Sequence, residues 1–140
     1  MTRTKHQARK IVQRMYERDR FSQLLGIKVR EAHPGKCLLR MKVTREMVNG
    51  FNIVHGGATF ALADSALAFA SNSHGRLSVA LEASISYPAS VHVGDTLTAS
   101  AEEVSLTNKT GVYIITITNQ RKQKVGLFKG TVYRTSKEFE

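Results

Sequence analysis

The sequence predicts an α+β protein in which an antiparallel sheet wraps around one long central helix, with an amphipathic helix ahead of it. Three observations lead there. Between Ala58 and Ala70, ten of thirteen residues are Ala, Leu or Phe, so this run is a helix that is apolar nearly all round and must be covered nearly all round. Two strand-like runs precede it and four follow it, with helix and strands segregated along the chain. A length of 140 residues suits one domain. It is too short for a two-domain dinucleotide enzyme or for a (β/α)₈ barrel of roughly 250 residues.

Residues 4–20 place Ala8, Ile11, Val12, Met15 and Tyr16 at helical spacing among charged side chains, and Phe21, Leu24 and Leu25 continue the apolar side until Gly26 breaks it. The amphipathic segment as a whole spans 1–25 of a single 1–140 domain. Ile27–Ala32 and Lys36–Val43 read as a hairpin about His33-Pro34-Gly35. Residues 44–54 are irregular, and His74-Gly75 ends the central helix. Strands rich in Val, Ile, Thr and Tyr follow at Leu77–Tyr87, Thr96–Leu106, Thr110–Asn119 and Lys124–Arg134, read as a four-stranded meander.

The net charge of +10 is uneven. Residues 1–20 hold seven basic and two acidic side chains, residues 121–140 six and two, and the middle hundred only eight and seven. Basic flanks of this kind attract nucleic acid, acidic membranes or phosphorylated small molecules. No helix-turn-helix pattern and no aromatic-studded basic strand supports nucleic acid. No apolar run spans a bilayer and no secretion signal is present. Cys37 is the one cysteine, which excludes an internal disulfide and a Cys-rich metal cluster and points to a reducing, cytoplasmic compartment.

Asp64 contradicts its surroundings. It is the sole acid between Glu46 and Glu82 and sits among Ala61, Leu62, Ala63, Ala66 and Leu67. A carboxylate there must be paired, protonated or reached by a cavity, and either a structural bond across an interface or catalysis meets that demand. At the helix start, His55-Gly56-Gly57 leaves free N–H groups at the positive end of the dipole, with no side chain at Gly56 to hold a ligand off. Such a turn can hold a developing oxyanion, and it can equally be an ordinary tight turn. Asp64 lies eight residues past Gly56, roughly 12 Å along the axis. Two such helices packed antiparallel would bring the Asp64 of one subunit to the Gly56 of the other, so a homodimer with two interfacial sites is expected.

The stretch Asn49-Gly50-Phe51-Asn52-Ile53-Val54-His55-Gly56-Gly57, with Ala63-Asp64 and Asn72-Ser73-His74-Gly75 after it, resembles the hotdog-fold acyl-CoA thioesterases of the phenylacetic acid degradation (PaaI) type. The likeness continues through Gly94-Asp95-Thr96-Leu97 and Thr110-Gly111-Val112-Tyr113, and so covers most of the chain. It implies hydrolysis of an acyl-CoA, with aryl-acetyl or hydroxylated aryl-acetyl groups favoured, to a free acid and CoA. It gives Asp64 the role of general base or nucleophile and has the Gly56 N–H polarise the thioester carbonyl. It also has Asn49 orient the water or carboxylate, and His55 support the loop and the thioester end. No metal or cofactor is expected beyond the coenzyme A of the substrate, and dimers are expected to pair into a tetramer.

Some relatives carry a Ser or Thr on the strand after the helix, where this chain has Ala80, with Ser78 and Ser84 nearby. Gly57, Ala80, Glu82 and Tyr87 are candidates for the acyl or pantetheine path, and Arg45 and Lys109 for phosphate contacts. A hydratase or dehydratase that casts His55 and Asp64 as an acid/base pair, and a non-catalytic acyl-CoA-binding regulator, are the alternatives.

Overall fold

A computed structural model describes residues 4–139, so the first three residues of the amphipathic segment lie outside the described residues. Helix α1 (Lys5–Arg18) starts at a capping box: Thr4 accepts from the Gln7 N–H, and the Gln7 side chain accepts from the Thr4 N–H. The helix expected over 4–20 is broken at Asp19, whose side chain caps a separate short helix, α2 (Arg20–Leu24), by accepting from Ser22 N–H at 2.9 Å. The break turns α2, and with it Phe21 and Leu24 are 58% and 79% exposed rather than on the buried side. Gly26, at a φ of +73°, then redirects the chain.

Strands β1 (Lys28–His33) and β2 (Lys36–Lys42) form the expected hairpin, and a 3₁₀ turn (Arg45–Met47) leads to helix α3 (Gly56–Asn72). Strands β3 (Arg76–Ser86), β4 (Thr96–Leu106), β5 (Thr110–Thr118) and β6 (Lys124–Glu138) complete one antiparallel sheet in the order β1-β2-β4-β5-β6-β3. The meander therefore runs only from β4 to β6. The first strand of the expected meander, β3, instead pairs with β6 at the far edge, because β4 already has β2 and β5 on its two sides. The chain returns from that edge through residues 87–95. Val91 C=O accepts from Val54 N–H at 2.9 Å, and Asp95 C=O accepts from Val43 N–H at 2.8 Å, which fixes the return beside the start of α3.

The inner face of the sheet packs Leu39, Met41, Leu97, Tyr113, Ile115, Ile117 and Phe128 on α3, which contributes Leu62, Ala66, Leu67, Phe69 and Ala70. Gly130 on β6 is what lets α3 seat this closely. A Cβ there would lie 2.6 Å from Leu67 Cδ2. On its other flank α3 meets α1, with the Tyr16 and Phe69 ring centroids 6.4 Å apart. Beyond α3, Glu103 accepts from the Tyr113 hydroxyl at 2.8 Å and lies 2.6 Å from His74 Nε2, which ties the helix end to β4.

The helix is not covered all round. Gly57 and Asp64 are exposed and Ala61 and Ala68 half-buried, a stripe with helical spacing along the side of α3 that faces away from the sheet. Asp64 thus lies at the surface of the chain, not inside it.

Candidate active site

The start of α3 is built by short-range bonds that commit some of the expected groups and leave others open. His55 caps the helix, its Nδ1 accepting from Gly57 N–H at 2.8 Å and its C=O from Ala58 N–H at 2.9 Å. A Cβ on Gly57 would lie 2.9 Å from that nitrogen, so Gly57 serves the cap. With those two donors taken, Gly56 N–H has no acceptor among the described residues. It is the first-turn donor left for a ligand.

Tyr87, just past β3, donates its hydroxyl to Gly56 C=O at 3.0 Å, and a Cβ on Gly56 would lie 3.1 Å from that hydroxyl. Burial pushes the Tyr87 hydroxyl pKa up. Asn49 shapes the loop before the helix: its Oδ1 accepts from Phe51 N–H at 2.8 Å and from Ile53 N–H at 3.4 Å. The side-chain oxygen is thereby spent on the turn. Nδ2, which has no acceptor among the described residues, is the group able to orient a carboxylate or water.

Asp64 has no hydrogen bond or ion pair among the described residues. Solvent reaches it from one side, while the packed atoms on the other hold its carboxyl above the ordinary value, and the charge of Asp19 adds to the rise. Asp19 is the contributor that sequence reasoning missed. Its one signal is the N-cap that splits α1 from α2. The Ser22 hydroxyl of α2 is 2.8 Å from that of Ser65, which anchors α2 beside Asp64 and sets the exposed Phe21 and Leu24 in its neighbourhood.

The structure therefore gathers Asn49, His55, Gly56, Gly57 and Tyr87 at one end of α3. Arg45 is exposed in the turn that reaches His55 through Met47 C=O and His55 N–H. Ala80 is paired opposite Val132 on β3 and is exposed. Ser78 spends its hydroxyl on Arg76 C=O at 3.1 Å, and Ser84 faces outward beside Lys129. Glu82 is on the outer face as well, 3.9 Å from Lys129 and away from α3. Lys109 sits in the β4–β5 turn at the opposite end of the sheet. Cys37 is no candidate nucleophile, because burial pushes its thiol up to about 12.

Within one chain the two reactive features stay apart. Eight residues of helix separate Gly56 from Asp64, roughly 12 Å of rise.

Residues 51–125 match the thioesterase superfamily. The acyl-coenzyme A thioesterase PaaI of Escherichia coli is 40% identical over 129 residues, covering 92% of each chain. The solved structure of the E. coli PaaI protein superposes with a TM-score of 0.95 at 38% identity, over 97% of this chain and 99% of that one. A Streptococcus mutans protein solved with acetyl-CoA bound has a TM-score of 0.78 at 31% identity, over 80% of this chain and 90% of that one.

Proposed function

The chain belongs to the thioesterase superfamily, and from that membership we propose that it hydrolyses aryl-acetyl or related acyl-CoA thioesters at a site shared between two copies. Its sheet curled on α3 is the hotdog fold. The observation that carries the reading is a pair of uncommitted groups on one helix: the Gly56 N–H and the Asp64 carboxylate. Two antiparallel α3 helices would bring each carboxylate to the other copy's helix start.

Two exposed features favour such a pairing. One is the Gly57–Ala61–Asp64–Ala68 stripe, whose small residues permit close approach. The other is edge strand β3, where Val79 and Leu81 are 48% and 61% exposed beside an unpaired strand edge. Pairing of such dimers into a tetramer, and a cytoplasmic location for a chain whose one thiol is buried, complete the reading.

In this mechanism Asp64 takes a proton from water, and the hydroxide adds to the thioester carbon. The oxyanion forms against the Gly56 N–H, and its collapse expels the CoA thiolate, which recovers a proton. If Asp64 instead attacks the carbon itself, the CoA thiolate leaves as an anhydride forms, and water then cleaves the anhydride to the free acid and the Asp64 carboxylate. The raised pKa makes the carboxylate a better base without a third residue. A thiolate is a good leaving group, so neither a triad nor a metal is called for. Asn49 Nδ2 steadies the water or carboxylate, His55 keeps the first turn open, and Phe21 and Leu24 supply apolar surface for the acyl body. The hydrogen bond from Tyr87 to Gly56 C=O fixes the peptide that follows the Gly56 N–H and so steadies the first turn.

The test is thiol release across aromatic, short-chain and long-chain acyl-CoAs. Fastest turnover of an aryl-acetyl-CoA is expected. Loss of water from a hydroxyacyl-CoA with no thiol released would replace hydrolysis with a dehydratase. Binding without any turnover would make the chain a regulator.

A further inference from the structure

A cleft of about 270 Å³ opens between α1 and the free edge of β1, on the flank of the molecule carrying the basic N-terminal helix. Its floor is apolar, made by Val12, Val29, Ala32 and the side of Tyr16. The Tyr16 ring is held in place because its hydroxyl donates to Ile27 C=O. Three cations, Arg9, Lys28 and Arg30, ring the opening. None of them has a hydrogen bond or ion pair among the described residues. The one carboxylate in the wall, Glu31, leans toward His33 at 3.9 Å.

Local backbone structure produces this gathering of charge. The β1–β2 register jumps from Val29↔Leu39 to Glu31↔Leu38, leaving Arg30 as the extra residue of a bulge. A bulge interrupts the alternation of faces, so consecutive residues from Lys28 to Ala32 all reach the cleft. Three exposed cations without a partner among the described residues ring an apolar hollow, and a single anion seated among them meets all three. A monocarboxylate would leave two without a partner, whereas a molecule with several acidic oxygens on a flat apolar body satisfies floor and rim together.

We propose that the α1–β1 cleft binds a nucleoside phosphate, its base against Val12, Val29 and Tyr16 and its phosphates on Arg9, Lys28 and Arg30. Gln13 adds a reader for the base edge: its side-chain nitrogen donates to Glu17 at 3.3 Å, leaving its oxygen to accept from an exocyclic amine such as that of adenine. The volume suits a base and sugar, with the phosphates on the rim. This site is separate from the α3 groups and does not rest on the hydrolytic reading.

Equilibrium dialysis of the full chain against adenosine 3′,5′-bisphosphate, adenosine, inorganic phosphate and phenylacetate tests it. The bisphosphate is expected to bind at least about tenfold tighter than the other three and to weaken as salt rises. The double variant Arg9→Gln, Arg30→Gln should lose at least about tenfold in that affinity with an unchanged melting temperature. No binding of the bisphosphate at millimolar concentration overturns the proposal, as does full binding by the variant. Phosphate binding as tightly as the bisphosphate overturns the base pocket. Two sources of ligand are separated by steady-state kinetics with an acyl-CoA and the matching acyl-pantetheine, which lacks the nucleotide. A KM raised by the variant for acyl-CoA alone assigns the cleft to the nucleotide end of the substrate. Unchanged KM for both, with the dialysis result intact, assigns it to a free nucleotide.

Discussion

If Asp64 of one copy serves the Gly56 of another, two inactive variants must rescue each other. Asp64→Asn removes the proton acceptor while keeping the shape of the side chain. Gly56→Val fills the space over the free N–H: a Cβ there already sits 3.1 Å from Tyr87 Cζ and its hydroxyl, and two further methyls extend into the ligand's path. Each variant alone should lose at least about 100-fold in kcat, the scale of a lost general base or oxyanion donor. In a heterodimer the Asp64→Asn copy still supplies an open Gly56 and the Gly56→Val copy still supplies Asp64, so one of two sites is whole. Random pairing of equal amounts makes about half of the dimers mixed, and the mixture recovers about a quarter of the wild-type rate per protomer. The assay is thiol release from heterodimers isolated through two different affinity tags, which should run at about half the wild-type rate. Were the two residues to act within one chain, every site in the heterodimer would carry a lesion. Tagged heterodimers as inactive as their parents would therefore refute the shared site.

Asp64→Asn also has a stability signature. Because the folded carboxyl titrates above its unfolded value, ionising it costs stability, and the cost is present above the folded pKa and vanishes as pH falls below the ordinary carboxylate range. The variant should match the parent in acid and exceed it by a few tenths of a kcal/mol at pH 7, kept small because the side chain is exposed. Denaturant melts at both pH values check this, and a loss of more than about 1 kcal/mol at pH 7 would mean the carboxylate holds the fold. Gly130→Ala should destabilise by about 1–3 kcal/mol, since the new methyl meets Leu67 at 2.6 Å inside a packed core. In the double variant with Leu67→Ala the two losses should sum to less than their separate values, and thermal melts that show strict additivity would place α3 farther from β6 than described.

Much of the fold was legible because local chemistry marks it. Thr96–Leu106 is read with the bounds it has, since Gly94-Asp95 and Asn108-Lys109 punctuate both ends. The partner of β3 was not legible: strands of similar composition carry no label saying which edge they join, and only the long return through residues 87–95 hints at a crossover. The end of β6 lies four residues beyond the expected Arg134 for a related reason. The strand runs on to Glu138 through polar residues opposite Arg76, with no apolar alternation to announce them. At the site, Asn49, His55, Gly56 and Asp64 stood out by residue type and spacing. The hydrogen bond from Tyr87 to Gly56 spans 31 residues and the influence of Asp19 on Asp64 depends on the turn of α2, so neither leaves a trace in local sequence.

The position of Asp64 resolves the contradiction of one acid in an apolar helix. An apolar helix with one acid reads as a buried charge if the helix is surrounded by its own sheet. The sheet and α1 in fact cover only part of its circumference, and the remainder is a strip of Gly, Ala and Asp. Leu and Phe face the sheet, where bulk fills the core, while Gly57, Ala61 and Ala68 keep the open strip thin. Small apolar residues gain little by facing water, and a thin strip is what a second helix needs to come near. On the proposed pairing, the all-round hydrophobicity is the sum of two burials, one within the chain and one between chains. The same pairing puts Asp64 on the second, where a carboxylate can meet substrate and solvent without being sealed in the core.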